Sequence, residues 1–531
     1  MEFNQSFFQQ QLKSGIELFN KNKLNEAIEC FKILQNEKST QTIAFLYLGI
    51  IEIRKNNNEK AKKYFFKILE MDKNHEFANL NLGLIFFQEK NIKKTIDYFN
   101  KTLNINQENL LAKYHLGLIE MMNKEYEKAK KKFENILLKE PKNLNALNNL
   151  GICYLKQNHF KKAINVFKEC LNIKNNHQQA ILNLANCLFQ TKDFENSIIN
   201  YNKVLEINKD HISAKIGLSK CYFALHNYEK AFYFFEARKK TQLDNLRIVN
   251  KLVKDFNCKE WFEEKIDNKK ILILSEQGIG DNLQFARYIF WLKEKFNCDI
   301  IFYINKKISH LFKNCPCKII NDLDQVDKID FYQYLLSLPY IHYKKENKFK
   351  KCISFITDDA SNNLNWKKKL ENLKKPLIAI QWKGNEKFLD DQQRSIPIKF
   401  FNNLIKNKDY SFISLQKDNF SSDIKSNSLQ EFITDFSEEI DIGDKSFVDT
   451  ISILNNIDLL ISVDTSMTHL ASTMGVKTLL LLNSNPDWRW HIELKENCFY
   501  DNLEIIKADR ANDWESVSLR IDDKLKKLFK R

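Results

Sequence analysis

A spacing of 34 residues governs the first half of the chain. A small residue recurs at Gly15, Gly49, Gly83, Gly117, Gly151, Ala185 and Ser219, and a second series runs through Ala27, Ala61, Thr95, Ala129, Ala163, Ser197 and Ala231. An aromatic keeps the same period at Phe31, Phe65, Phe99, Phe133, Phe167, Tyr201 and Phe235. Three series in register over seven cycles call for a repeat in which each unit packs on the next. The small residues let two helix backbones approach closely, and the aromatic is expected to fill the space between neighbouring repeats. One helix pair is too small to bury its own face, so stacking buries it and predicts a right-handed superhelical solenoid with a concave groove.

These residues resemble the tetratricopeptide repeat, as in A-L-N-N-L-G-I-C-Y-L from Ala146, with Pro141 at a repeat end. The resemblance covers roughly residues 8 to 240 and implies a groove for a protein or peptide partner, with no chemistry attached. Asn79, Asn81, Asn148 and Asn149 predict a polar first-helix face, which either holds an extended peptide or is simply solvated in an asparagine-rich chain. Residues 1 to 240 hold 38 Lys and Arg against 25 Asp and Glu, while 241 to 531 hold 45 against 43. Both halves share the lysine habit but only the first is basic. That points to an acidic partner, either an acidic protein segment or an anionic membrane surface, with a solvated lysine face as the alternative. No nucleic-acid partner is expected.

Apolar residues at 43% and charged residues at 28% exclude a disordered chain, and 531 residues require several folding units. The N-terminus lacks an apolar signal core and no run of about 18 apolar residues occurs, which predicts a cytoplasmic protein, at most peripheral to the inner membrane face. The cysteines are odd in number and scattered, including Cys315, Cys317 and Cys498, and predict neither a disulfide framework nor a zinc site.

After residue 240 the period changes. A polar stretch, 241–268, reads as a connecting segment. Ile271 to Ser275 is a short apolar run suited to a strand buried on both faces, followed by helical spacing over Asn282 to Phe296 and a strand at Asp299 to Ile304. Further buried strands are expected at Leu377 to Trp382, Ser411 to Leu415, Asp458 to Val463 and Lys477 to Leu482. This βα alternation predicts parallel doubly wound sheets whose ligands sit beyond the carboxyl ends of strands. The expected architecture is a solenoid over 1–240 followed by two Rossmann-like lobes, 269–355 and 356–531, facing each other across a cleft.

Four motifs carry candidate chemistry. In Ser275-Glu276-Gln277-Gly278-Ile279-Gly280-Asp281, Gly278 and Gly280 permit a tight turn between strand and helix, and Asp281 is either a helix cap or a general base. In Ser462-Val463-Asp464-Thr465-Ser466-Met467-Thr468-His469, a strand runs into a helix whose free N–H groups can hold a diphosphate, with Thr465, Ser466 and His469 nearby. In Gln381-Trp382-Lys383-Gly384-Asn385, with Arg394 following, Lys383 and Arg394 are cations able to neutralise a departing diphosphate or are solvated charges. In Pro486-Asp487-Trp488-Arg489-Trp490, a tryptophan either stacks on a base or packs in the core. Asp322-Leu323-Asp324, the obvious D-x-D, follows no clear strand, and no metal is expected.

Taken with L-L-S-L-P from Leu335 and I-S-L-Q from Ile413, these motifs resemble, over about 260 to 520, the heptosyltransferase-like glycosyltransferases. That resemblance implies a GT-B fold that transfers a sugar from a nucleotide-sugar co-substrate without a metal or other cofactor. It implies Asp281 as the base on the acceptor hydroxyl, in the first lobe. It assigns Lys383, Arg394, Asp464, Thr465, Ser466, His469 and Trp488 to the donor, with Gly278, Gly280 and Gly384 as loop glycines. Ser466 departs from the family, which often carries Gly or Ala there. A non-catalytic scaffold with a vestigial sugar-nucleotide domain is the alternative.

Overall fold

The computed structural model describes residues 2–385, 391, 394–417, 421–496 and 499–529, so Cys498 and the loop before Arg394 lie outside the described residues. The chain divides into two compact units, Met1–Cys187 and Leu188–Arg531.

The first unit is a tetratricopeptide-type array of helix pairs, such as Gln41–Arg54 with Asn58–Met71 and Glu76–Gln88 with Ile92–Ile105. The aromatic of each cycle is buried, both within its own helix pair and against the next. A Cβ at Gly49 would stand 2.6 Å from the Phe65 ring, and one at Gly83 2.7 Å from Phe99. These rings lie on the glycine of their own helix pair and also reach the next repeat: Phe31 stacks on Tyr47 at 4.7 Å, Phe99 on His115 at 5.4 Å, and Tyr201 lies against Gly217. A further periodic feature is conformational: Asn22, Asn56, Lys90, Lys124, Asn158, Lys192 and His226 all turn the chain in the left-handed region, with φ from 57° to 63°. That conformation costs most side chains roughly 1–2 kcal/mol and asparagine less.

Several asparagines cap helices. Asn109 accepts from the Ala112 N–H at 2.9 Å and Asn143 from Ala146 at 3.0 Å, and His75 and His177 do the same through Nδ1 one period away. The asparagines expected to face a peptide are engaged within the protein. Asn79 donates to the Lys73 and His75 carbonyls and Asn81 to the Phe77 carbonyl. Asn149 donates to the Tyr114 hydroxyl at 3.1 Å, and Asn183 donates to Asn148 at 3.1 Å.

The second unit starts with helical hairpins, of which Ile212–Ala224 and Tyr228–Phe235 are the last, and continues into two sheets. The first sheet contains β1 (Lys259–Glu260), β2 (Lys270–Leu274), β3 (Asp299–Tyr303), β4 (Lys318–Ile320) and β5 (Phe331–Tyr334), in the order β1-β5-β2-β3-β4. The second contains β6 (Leu377–Gln381), β7 (Ser411–Ser414), β8 (Ile433–Asp435), β9 (Leu459–Val463), β10 (Thr478–Leu482) and β11 (Leu503–Lys507), in the order β11-β10-β9-β6-β7-β8. The strand pairings are parallel throughout.

Side-chain alternation explains the apolar runs. In β2, Ile271 and Ile273 enter one core while Leu272 and Leu274 enter another; in β9, Leu460 faces one core and Leu459, Ile461 and Val463 the other. The stretch 241–268 is more than a connection. It forms the helix Leu243–Phe256, whose Leu252 is buried beside Leu272, and β1, which pairs with β5.

The hairpin Ile212–Phe235 belongs to the same core as the lobes, since Phe223, Phe232 and Phe235 are continuous with Leu335, Phe285, Leu460 and Trp488. A buried ion pair reinforces it. Arg238, in the 3₁₀ turn Glu236–Thr241, donates from Nε and Nη2 to Glu276 at 3.1 and 2.9 Å. Glu276 also accepts from Gln242 and from the Leu336 N–H, so its carboxylate is fully used. Among the described residues no helix is long and apolar enough to cross a membrane.

Candidate functional site

Two strand-to-helix turns meet. The turn after β2 leads through Gly278 into helix Ile279–Phe285, and the turn after β9 leads through Asp464 and Thr465 into helix Ser466–Met474. Their contact explains Gly280: a Cβ there would stand 2.7 Å from His469 Cδ2 and 3.3 Å from the Ser466 Cα. Gly280 is required by the approach of the two helices. Gly278 has extended backbone, φ −85° and ψ 169°, and needs no glycine freedom.

Asp281 occupies the third helical position. Its Oδ2 accepts from the Gly278 N–H at 3.0 Å, so Asp281 is not the N-cap itself, which is Gly278, but bonds back to it from inside the helix. Its Oδ1 accepts from Arg489 Nη2. Arg489 is 9% exposed and also meets Asp487 at 2.8 Å through Nη1. One guanidinium therefore ties the turn after β2 to the segment after β10, with Asp464 close enough to share its field.

These charges set the proton affinities. Burial pushes the Asp281 carboxyl up, against the pull of Arg489. Burial likewise pushes Asp464 up to about 6, with Arg489 opposing and Asp487 reinforcing. His469 is held well below the ordinary histidine range by burial and then by Arg489 and Arg287, and is therefore neutral. It is 3% exposed, its Nδ1 is 2.9 Å from the Tyr500 hydroxyl, and its ring stacks on Trp490 at 5.2 Å.

The remaining candidates divide. Thr465 stands at the N-cap position without a side-chain cap bond, its hydroxyl donating instead to Gln381 Oε1 at 2.6 Å, and Ser466 is the first helical residue. Arg394 reaches this turn: its Nη1 donates to the Asp464 carbonyl at 3.1 Å while Nε meets Asp391 at 2.9 Å. Gly384 packs against those same two side chains, where a Cβ would collide. Lys383 pairs with Asp423 at 2.8 Å. Trp488 is in the core, 5% exposed and stacked on Phe223 at 4.4 Å and on Phe285 at 5.8 Å. It offers no face to a base, and the core reading of that motif applies to it. In the D-x-D, Asp322 caps a 3₁₀ turn and Asp324 meets Lys251 at 3.2 Å.

Sequence reasoning passed over Arg489, Gln381 and Tyr500. The signal for Arg489 was present, since an arginine between two tryptophans and after an aspartate is placed for burial with its counter-ion. Tyr500 carried no local signal, because its partner His469 is distant in sequence.

Among known proteins, a family model described as anaphase-promoting complex, cyclosome, subunit 3, matches residues 122–204. Protein FlbA of Caulobacter vibrioides is similar at 20% identity over 283 residues, 49% of this chain and 47% of FlbA. The chain thus spans about half the length of that curated relative. A solved tetratricopeptide repeat protein from Parabacteroides merdae is similar at 17% identity and a TM-score of 0.35, covering 46% of this chain and 97% of that one. Pseudomonas aeruginosa pilF is similar at 19% identity and a TM-score of 0.34, covering 38% and 91%. The helix pairs of the first half are of tetratricopeptide type.

Proposed function

We propose that the second unit is a metal-independent glycosyltransferase of GT-B type, moving a sugar from a nucleotide-diphosphate-sugar donor to an acceptor hydroxyl, and that the repeats recruit the acceptor or another protein. The observation that carries this reading is the meeting of the turns after β2 and β9, which brings Asp281, Asp464, Arg489 and Arg394 to the carboxyl ends of two parallel sheets. In this reading the diphosphate competes with Asp281 for Arg489, taking support also from Arg394 and the Ser466 helix terminus. Release of Asp281 frees a carboxylate whose raised proton affinity suits a general base. The acceptor O–H proton passes to Asp281 as the oxygen attacks the anomeric carbon, and the carbon–oxygen bond to diphosphate breaks with the electron pair leaving on phosphate. General-base help is worth about 10²–10⁴ in rate.

For the repeats, exposed Lys60, Lys94, Lys128 and Lys162 recur every 34 residues at the third position of consecutive second helices. A cation there opposes the helix dipole, though Lys94 and Lys162 lie over the Phe86 and Tyr154 rings at 4.9 and 5.7 Å and Lys128 pairs with Glu125 at 3.1 Å. Their outer faces form a basic row that suits an acidic partner.

The scaffold reading is favoured by one observation: both carboxylate oxygens of Asp281 are engaged, by Gly278 and Arg489. A thermal-shift screen against nucleotide-diphosphate sugars, with and without EDTA, separates the two. Transfer predicts stabilisation by one donor class that chelation leaves unchanged, and Asp281→Asn should keep that stabilisation while losing product formation. No shift with any donor supports the scaffold.

A further inference from the structure

We propose that Gln381, rather than Thr465, meets the diphosphate of the donor, and that Thr465 is a positioning residue that holds the Gln381 amide in place; the inference rests on the nucleotide-sugar reading of this site. Gln381 is the last residue of β6, which pairs with β9 in the second sheet, and its register partner there is Ser462. Residues 377–380 of β6 and all of β9 are buried, whereas Gln381, Asp464, Thr465 and Ser466 are half-buried. Solvent therefore reaches these residues at the carboxyl ends of the two strands, where parallel sheets place ligands.

The hydrogen bonds decide what each group can still do. Threonine is a favoured N-cap because its hydroxyl can accept from the first free N–H groups of the helix. Thr465 stands at that position and forgoes the bond, its hydroxyl donating to Gln381 Oε1 at 2.6 Å. A hydroxyl has a single proton, so Thr465 has none left for a phosphate oxygen. The Ser462 hydroxyl lies 3.2 Å from the same amide oxygen. With that oxygen engaged, the NH2 group of Gln381 is the end left for a ligand, and it takes no partner among the described residues. It can only donate, which suits an oxyanion. Arg394, whose Nη1 donates to the Asp464 carbonyl at 3.1 Å, brings the cation that draws such an oxyanion to the same turn.

The test is calorimetry of the full chain with ADP, CDP, GDP and UDP, carried on with the one that binds tightest. Gln381→Glu keeps an oxygen for Thr465 and replaces the donor by an anion, so it should bind about tenfold or more weakly. Thr465→Val should also weaken binding and Thr465→Ser should restore it, while Thr465→Val added to Gln381→Leu should cost nothing beyond Gln381→Leu alone. Melting temperatures without ligand accompany each titration, and should Gln381→Leu unfold, the cycle is run with the isosteric Gln381→Glu. Additive losses would mean that Thr465 touches the ligand itself, and unchanged affinity in Gln381→Glu would mean that the amide does not; either overturns the proposal. A nucleoside diphosphate that binds indifferently to Gln381 sinks this inference alone, whereas binding of none of the four sinks the transferase reading with it.

Discussion

At the scale of single residues, each glycine of the repeats is met by one aromatic ring. Alanine is favoured over glycine inside a helix by about 1 kcal/mol, so Gly151→Ala would stabilise an isolated helix. In the fold a Cβ at Gly151 would stand 2.5 Å from Phe167 Cε1, and the ring is fully buried with nowhere to move. Overpacking wins, and the variant should lose about 1–3 kcal/mol in urea unfolding. Unchanged stability would mean that the ring shifts freely. The candidate site offers a second residue-scale test. Asp464 is pushed up to about 6 in the fold, against about 3.9 for an unfolded aspartate. Between those values the native state binds more protons than the unfolded chain, so this group makes stability fall as pH rises from about 4 to 6. Asp464→Asn removes the effect. Its melting temperature relative to wild type should rise across that window and level off above it, and a constant difference would show that Asp464 titrates normally.

At the scale of elements, what joins the last hairpin to the first sheet is the Arg238–Glu276 pair, buried at both ends. Arg238→Met leaves Glu276 without its counter-ion and Glu236 with Lys239 alone, and should cost about 3–5 kcal/mol, whereas Arg238→Met with Glu276→Gln should recover much of it. Equal stability of the single and double variants in denaturant would show that the pair does not hold this joint. The same scale explains what was legible. Central strands such as β2 and β9 are covered on both faces and read as apolar runs. β1, β4 and β8 are two or three residues long, and β11 has the sequence Leu-Glu-Ile-Ile-Lys with Glu504 exposed, so none carries such a run. Asp281 and Asp464 were legible because strand-to-helix turns are where parallel sheets put ligands. The engagement of Asp281 by Arg489 was not, because 208 residues separate them and only the packing of helix Ile279–Phe285 against Ser466–Met474 closes that distance.

At the scale of the whole molecule, the period of 34 and the division of the chain do not coincide. The repeat pattern runs to Phe235, yet the compact unit that contains the sheets begins at Leu188. The reason is aromatic. Trp488 is packed by Phe223, Phe232 and Phe235 from the last hairpin, and Tyr228 packs edge-on against Tyr343 and Phe349. A chain cut where the repeats end, comprising 241–531, strips these rings of cover and leaves Glu276 without Arg238. Contiguous apolar exposure of this kind drives association. A chain comprising 178–531, which starts with a whole helix, keeps both. The longer fragment should run as a folded species in gel filtration and melt cooperatively, and the shorter should aggregate or melt far lower. Because Trp488 adjoins Arg489, any stabilisation by a nucleotide sugar should survive in 178–531 and vanish in 241–531. Equal melting of the two fragments would mean that the last hairpin is an appendage of the solenoid, and that the candidate site is assembled without it.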